Sequence, residues 1–129
     1  MTPAEAQHGA ILLIDDEPGI HRALTQLLRR SGYTIATATN GQEGLAALAA
    51  HAYDLILCDM RMPDLDGPAF YRELARRHPP LLSRVIFLTG DVLSPEAQDF
   101  FAEVNRPRLL KPFKAQEVRQ LIQQVLAAQ

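Results

Sequence analysis

The sequence has little cysteine, no long hydrophobic run and no excess of positive charge. Its single cysteine, Cys58, excludes an internal disulfide and a cysteine-based zinc cluster. The uninterrupted apolar stretches are far shorter than the ~18 residues that span a membrane, and no cationic, apolar leader opens the chain. Thirteen basic and fifteen acidic residues give a net charge of −2 without a basic stripe. We therefore expect neither nucleic acid nor a membrane as a partner of this domain.

The remaining composition is typical of one soluble globular domain. The chain has 129 residues, within the usual ~100–200 residues per domain. Its 47% hydrophobic and 22% charged residues are ordinary values that argue against disorder, collagen and coiled coil. We predict a single domain over residues 10–129 after a frayed tail at residues 1–9, and a cytoplasmic location.

The hydrophobic period switches repeatedly between strand and helix. Short continuous apolar runs at 11–14, 55–58 and 85–88 predict strands that are buried on both faces. The alternating segment 33–38 and the brief segment 108–110 predict two less apolar strands. After each of the five, apolar residues recur at helical spacing. Asn40 and Ser94 stand at positions that predict helix N-caps.

Five strands that alternate with five helices predict an α/β fold with a parallel sheet and helices on both faces. Right-handed crossovers leave few topologies, and we expect the doubly wound, flavodoxin-like order 2-1-3-4-5. This order puts strands 2 and 5 at the edges, and they are the two least apolar strands. The order and the strand composition therefore agree.

Polar side chains stand where the predicted strands end. Asp15 and Asp16, followed by Glu17, come after the first strand, and Asp59 comes after the third. Thr89 and Lys111 follow the fourth and the fifth. Ligands of open parallel sheets bind outside the carboxyl ends of the strands, beside the point where the strand order reverses. We therefore expect these side chains to line one crevice.

Carboxylates at such close quarters repel each other and require protonation or a cation between them. An all-oxygen ligand set without His or Cys favours Mg²⁺ over Zn²⁺, and a site with few carboxylates favours it over Ca²⁺. A metal, an ammonium and a hydroxyl that face a carboxylate are the groups needed to transfer a phosphoryl group onto that carboxylate. The crevice therefore predicts phosphoryl chemistry with Mg²⁺.

Four segments, each at its own strand end, carry a family resemblance. They are DDE at 15–17, DMRMPDLDG at 59–67, LTG at 88–90 and LKPF at 110–113. Together they resemble the receiver domain of two-component response regulators. The resemblance extends over about residues 10–127. It implies a signalling switch that takes a phosphoryl group from a phosphohistidine of a histidine kinase or of a histidine phosphotransfer protein.

The resemblance implies a role for each residue of the metal site. Asp59 is the phosphoacceptor and, with Asp16 and the backbone carbonyl of Arg61, a direct ligand of Mg²⁺. Asp15 binds the ion through a water molecule. By the same resemblance we expect no turnover of a separate substrate, only self-phosphorylation from a phosphodonor and autodephosphorylation.

The resemblance also implies which residues bind the phosphoryl group and transmit the change. Thr89 moves to hydrogen-bond one phosphoryl oxygen and Lys111 pairs with another, and the Lys111–Pro112 bond is cis. The family usually carries Tyr or Phe three residues before the lysine, and its ring turns inward when the threonine moves. Arg108 stands there in this chain, so the Thr89 switch must work without that ring.

The output face expected from the family is formed by helix 4, strand 5 and helix 5, through which two copies could form a homodimer. The resemblance fits a stand-alone regulator and the receiver of a hybrid sensor kinase equally well. Gly90 offers little cover for a phosphoryl group on Asp59. We therefore predict that water reaches it unless Arg61 and Asp91 close over the site.

Three other interpretations remain open at this point. The first is a Mg²⁺-dependent phosphatase of the haloacid dehalogenase kind, which also forms an aspartyl phosphate. Such a phosphatase has its nucleophile in an Asp-x-Asp pattern at the first strand, whereas this chain has the adjacent pair Asp15 and Asp16 there. A receiver-like interaction module that is never phosphorylated is the second. An FMN-binding protein is the third, although the acidic loop after strand 1 would repel the FMN phosphate.

Overall fold

The computed structural model describes residues 9–90 and 94–129. The strands are β1 (Ala10–Ile14), β2 (Thr34–Ala38), β3 (Leu55–Asp59), β4 (Val85–Thr89) and β5 (Arg108–Leu110). The α-helices are α1 (Pro18–Arg30), α2 (Gly41–Ala50), α3 (Gly67–Arg77), α4 (Pro95–Glu103) and α5 (Ala115–Ala127). A 3₁₀ helix over Pro79–Arg84, which the sequence pattern does not predict, precedes β4. The predicted tail, apart from Gly9, and Asp91 lie outside the described residues.

The five strands form one parallel sheet in the order β2-β1-β3-β4-β5. The predicted fold and strand order are therefore confirmed. β1, β3 and β4, the interior strands, are buried along almost their whole length. β2 and β5 carry the exposed positions expected of edge strands. The order reverses between β1 and β3, so their carboxyl ends border a crevice.

Two apolar layers hold the helices against the sheet. Successive residues of a strand point to opposite faces, so Leu12 and Ile56 pack on one side and Leu13 and Leu57 on the other. Helices α2, α3 and α4 cover the first face, and α1 and α5 cover the second. Because both faces are covered, the interior strands contain the continuous apolar runs that predicted them.

Side-chain caps fix the beginnings of three helices. Asn40, Asp66 and Ser94 accept hydrogen bonds from backbone N–H groups three residues on, at 2.9, 2.9 and 3.2 Å. Each bond satisfies a donor that the first helical turn leaves unpaired. The predicted caps at Asn40 and Ser94 are therefore confirmed. α5 begins differently, since the Lys114 N–H donates to Glu117 Oε1 at 2.9 Å.

The turn from β3 into α3 requires a glycine. A Cβ on Gly67 would lie 2.7 Å from the carbonyl oxygen of Asp59 and 2.9 Å from Met60 Cα. Both are backbone atoms, so a side chain here would displace the end of β3. Gly67 therefore brings the start of α3 directly against the strand end that carries Asp59.

No helix in the described ranges, 9–90 and 94–129, has both the length and the apolar character needed to cross a bilayer.

Candidate functional site

The polar side chains that end the strands meet at the carboxyl edge of the sheet. Asp15 is fully buried, Asp59 is 5% exposed and Thr89 is 2% exposed. These are the three polar or charged side chains that the described part of the chain buries. Burial of a charge is costly unless the charge is paired. Two buried carboxylates at one place therefore require a positive charge beside them.

Lys111 supplies that compensation. Its Nζ donates to Asp15 Oδ2 at 3.2 Å and to Glu17 Oε1 at 2.9 Å, and it lies 3.3 Å from Asp59 Oδ2. One ammonium therefore contacts three carboxylates from two separate segments. The end of β4 fixes the backbone of the lysine, because the Lys111 N–H donates to the carbonyl oxygen of Thr89 at 2.8 Å.

Backbone hydrogen bonds place the acidic residues. The Asp15 N–H donates to the carbonyl oxygen of Ala38 in β2 at 3.0 Å. The N–H of Met60, the residue after Asp59, donates to the carbonyl oxygen of Leu88 in β4, also at 3.0 Å. Glu17 N–H donates to Asp15 Oδ1 at 2.9 Å, which turns the chain from β1 into α1. This turn brings the Glu17 carboxylate back over the strand end. The ladder of the sheet and one tight turn therefore assemble the acidic group.

Three carboxylates form a cluster that suits a hard cation. Oxygen atoms of Asp15, Glu17 and Asp59 lie within 4.8 Å of one another. Oxygen-only ligands favour Mg²⁺ over metals that prefer nitrogen or sulfur. Glu17 is the member that the sequence interpretation did not assign to the metal. Its position directly after the acidic pair was the available signal.

Asp16 and Arg61 lie at the same crevice without belonging to that cluster. Both line the cavity of about 410 Å³ that opens above Asp59, together with Thr89 and Gly90. Asp16 is exposed, whereas Asp15 is buried. The structure therefore brings together every residue that the sequence placed at the metal and phosphoryl site.

The surroundings raise the pKa of both Asp59 and Lys111, which disfavours the charged form of Asp59 and favours the charged form of Lys111. Burial and the charge of Asp15 raise the pKa of Asp59 to about 6, although the Lys111 ammonium opposes the rise. Burial alone would lower the pKa of Lys111, but Glu17, Asp59 and Asp15 together hold this pKa above its usual value. Lys111 therefore stays charged, and the Asp59 carboxylate lacks part of the positive charge it needs.

Thr89 connects this crevice with a neighbouring cavity. It lines the space above Asp59, and it also lines a cavity of about 250 Å³ bordered by Ser94 and Ala97 at the start of α4. A movement of the Thr89 hydroxyl toward Asp59 would therefore alter the packing next to α4. The predicted cis bond between Lys111 and Pro112 is confirmed.

Arg108 lies on the exposed side of β5 and contacts α4. Its guanidinium carbon is 4.4 Å from the centre of the Phe101 ring, a cation–π contact. Phe101 in turn packs edge-on against Phe87 and Phe100, with ring centres 5.8 and 5.3 Å away. The Arg108 guanidinium therefore stacks on an aromatic cluster and is exposed, instead of turning inward as the Tyr or Phe ring of the family would.

Comparisons with known proteins agree with this geometry. The family profile described as the response regulator receiver domain matches residues 11–123. The DNA-binding transcriptional regulator NtrC of Salmonella typhimurium is 34% identical over 121 residues, which are 94% of this chain and 25% of NtrC. The sensor kinase CckA of Brucella abortus is 29% identical over 92% of this chain and 13% of its own length. The chain thus spans a quarter or less of these relatives.

Solved structures of similar fold cover nearly the whole chain. The receiver domain of the sensor histidine kinase PA1611 from Pseudomonas aeruginosa, with a magnesium ion coordinated in its active-site cleft, has a TM-score of 0.83 and 27% identity over 93% of this chain and 98% of that one. The receiver domain of a histidine kinase from Syntrophus aciditrophicus has a TM-score of 0.84 and 30% identity, covering 93% and 91%. Profile, relatives and fold coincide: the chain belongs to the family of response regulator receiver domains.

Proposed function

We propose that this receiver domain is a phosphorylation-dependent switch that accepts a phosphoryl group on Asp59 in a two-component phosphorelay. The supporting observation is the position of the Asp59 carboxylate. It lies 3.3 Å from the Lys111 ammonium and belongs to a three-carboxylate cluster that suits Mg²⁺. The donor is a phosphohistidine on a histidine kinase or a phosphotransfer protein, and the exchange takes place in the cytoplasm.

Residues of the crevice would hold Mg²⁺. Asp16, Asp59 and the carbonyl of Arg61 would be the direct ligands, and Asp15 would act through a water molecule. Glu17, which bonds to Lys111, helps to balance the charge around the ion. When bound, the ion neutralises the negative charge that accumulates as an anionic donor meets an anionic acceptor.

The chain's own residues supply the nucleophile and two contacts to the phosphoryl group. A carboxylate oxygen of Asp59 forms the new P–O bond while the P–N bond to the donor imidazole breaks. The electron pair of that bond remains on the imidazole nitrogen. Lys111 and the Thr89 hydroxyl each bind a phosphoryl oxygen. Water later attacks the phosphorus, which restores the carboxylate and releases inorganic phosphate.

The conformational change is transmitted from Thr89 to the face formed by α4, β5 and α5. Thr89 borders the first turn of α4, and the Arg108–Phe101 contact joins that helix to β5. Movement of Thr89 toward the phosphoryl group shifts α4 against this contact and changes the face offered to partners. A pre-existing equilibrium between two conformations is thereby shifted, and one of them pairs with a partner or a second copy.

A phosphoramidate assay tests the acceptor role, because its P–N bond resembles that of phosphohistidine. The protein is incubated with phosphoramidate and Mg²⁺ and run on a gel that retards phosphoproteins. We expect a retarded band for the wild type that disappears in EDTA and in Asp59→Asn. Asp64→Asn is the matched control, since Asp64 is an exposed loop residue with φ of 69°, which asparagine also adopts.

Three outcomes would contradict this function. A retarded band that persists in Asp59→Asn would place the phosphoryl group on another residue. A wild type that never shifts, while it remains folded, would instead favour an interaction module that works without phosphorylation. Multiple turnover of an unrelated phosphate ester, measured as released phosphate, would indicate a phosphatase.

A further inference from the structure

Glu17 contacts Lys111 at the exposed side of the acidic crevice. The Glu17 side chain is 58% exposed, whereas the Lys111 side chain is 16% exposed. Of the three carboxylates around Lys111 Nζ, Glu17 is the nearest at 2.9 Å and Asp59 is the most distant at 3.3 Å. Burial lowers the pKa of Lys111, and the hydrogen bond to Glu17 is the largest of the influences that together raise it above its usual value. Glu17 is therefore a principal partner of the lysine.

Three contacts join Asp15, Glu17 and Lys111 into a closed ring. The Glu17 N–H donates to Asp15 Oδ1 at 2.9 Å, and Lys111 Nζ donates to Asp15 Oδ2 at 3.2 Å. The hydrogen bond from Lys111 Nζ to Glu17 Oε1 closes the ring. Asp59 contacts the ring through Lys111 but is not a member of it. The ring can therefore hold the ammonium when the contact between Lys111 and Asp59 is lost.

The Asp59 carboxylate has to serve two cations, Lys111 and Mg²⁺. Two cations at one carboxylate repel each other, so Lys111 has to withdraw from Asp59 when the metal site is filled. The withdrawn ammonium is still largely buried and needs a negative partner. Asp15 is shared with the metal site, whereas Glu17 is the member of the acidic cluster that is not expected to contact the ion. Glu17 is therefore the carboxylate that stays available to the lysine.

We propose that Glu17 is a positioning residue, which holds Lys111 off Asp59 and thereby leaves that carboxylate open to Mg²⁺. The inference rests on the proposed metal site and adds a residue that acts through the lysine. The ion pair is exposed at its Glu17 end, and exposed ion pairs are weak. Lys111 therefore leaves Glu17 when a phosphoryl oxygen on Asp59 becomes the stronger partner.

Isothermal titration calorimetry with Mg²⁺ tests the proposal. Glu17→Gln keeps the shape of the side chain and removes its charge, and it should raise the Kd for Mg²⁺ ~3–10-fold. Lys111→Met removes the competing ammonium. In that background Glu17→Gln should change the Kd less than ~2-fold, because the two residues act as one unit. Glu103→Gln, at an exposed glutamate of α4, is the matched control and should bind Mg²⁺ like the wild type.

The rate of phosphorylation separates positioning from a loss of structure. At saturating Mg²⁺, Glu17→Gln should accept phosphate from phosphoramidate at least as fast as the wild type, because Lys111 is no longer held by Glu17 and is free to bind the phosphoryl group. This comparison needs no variant of Lys111, so it remains decisive if Lys111→Met does not fold.

Several results would overturn the proposal. An unchanged Kd in Glu17→Gln would show that Lys111 needs no partner besides Asp15. An equal rise of the Kd in both backgrounds would show that Glu17 acts on the ion directly. A raised Kd with slower phosphorylation at saturating Mg²⁺ would show that Glu17 only maintains the shape of the crevice.

The same measurements distinguish the role of Glu17 from the acceptor role of Asp59. A wild type that binds Mg²⁺ but is never phosphorylated would refute the acceptor role, and the Kd values of the four Glu17 and Lys111 combinations would still decide the role of Glu17. A wild type without measurable Mg²⁺ binding would refute both the metal site and the role of Glu17.

Discussion

Replacement of Asp59 by asparagine is expected to stabilise the metal-free protein at neutral pH. Asp59 is 5% exposed, and burial and Asp15 raise its pKa from the ordinary 3.8 to about 6. Asparagine has nearly the same shape and carries no charge. The substitution therefore removes the repulsion from Asp15 and the cost of desolvating the carboxylate, although it also removes the attraction of Lys111.

The size and the pH dependence of the effect follow from the pKa shift. A rise from 3.8 to about 6, at about 1.4 kcal/mol per unit, makes the ionised side chain at most ~3 kcal/mol less favourable in the folded state. The folded pKa lies above the unfolded one, so the folded state binds the extra proton between these values. Wild-type stability therefore falls as the pH rises through this window, and the loss is complete above it.

Thermal unfolding in EDTA across this pH range measures the effect. At pH 7.5 Asp59→Asn should melt ~3–10 °C above the wild type, a shift that corresponds to ~1–3 kcal/mol. Near pH 4 the two should converge, because both then carry a neutral side chain. Asp64→Asn should follow the wild type throughout. Mg²⁺ should raise the melting temperature of the wild type more than that of Asp59→Asn, since it binds only the native site.

Equal melting temperatures at every pH would refute this reasoning. So would a wild type that is more stable than Asp59→Asn at pH 7.5 in EDTA. Either result would mean that Lys111 fully compensates the buried carboxylate.

The other predictions concern positions around the site. Gly90→Val should slow autodephosphorylation several-fold, because the new side chain would shield the phosphoryl group from water. There is room for it, since a Cβ at this position meets nothing closer than Lys111 Cβ at 4.0 Å. An unchanged half-life of the phosphorylated protein on phosphoprotein gels would disprove this shielding. Gly67→Ala should lower the free energy of unfolding in urea by ~1–3 kcal/mol, whereas Gly19→Ala, whose Cβ meets nothing within 4 Å, should not. Arg108→Met should cost ~0.5–1 kcal/mol through the lost contact with Phe101 and alter partner affinity; equal stability by urea titration would show that the stacking is incidental.

The fold was predictable because strands and helices alternate along the sequence, and this order also determines that helices cover both faces of the sheet. The interior strands are continuous apolar runs, as both of their faces are covered by helices. Asn40 and Ser94 could be identified as caps from local chemistry alone. The 3₁₀ helix was missed, since Pro79 and Pro80 interrupt every helical period and mark only a turn.

The site was predictable in its members and less so in its contacts. Strand ends place Asp15, Asp59, Thr89 and Lys111 together whatever their rotamers. Glu17 joins them because the turn after β1 is closed by its own N–H on Asp15, and the turn geometry decides which carboxylate returns to the crevice. The stacking of Arg108 on Phe101 depends on the spacing of β5 and α4, which no local pattern contains.

The proposed function depends most directly on Asp59 as the acceptor in a metal-dependent reaction. Intact-mass spectrometry after incubation with acetyl phosphate measures this in one experiment. We expect the wild type to gain the mass of one phosphoryl group with Mg²⁺ and none with EDTA, and Asp59→Asn to gain none in either. A wild type that stays unmodified with Mg²⁺, or an Asp59→Asn variant that gains the same mass, would mean that Asp59 is not the acceptor.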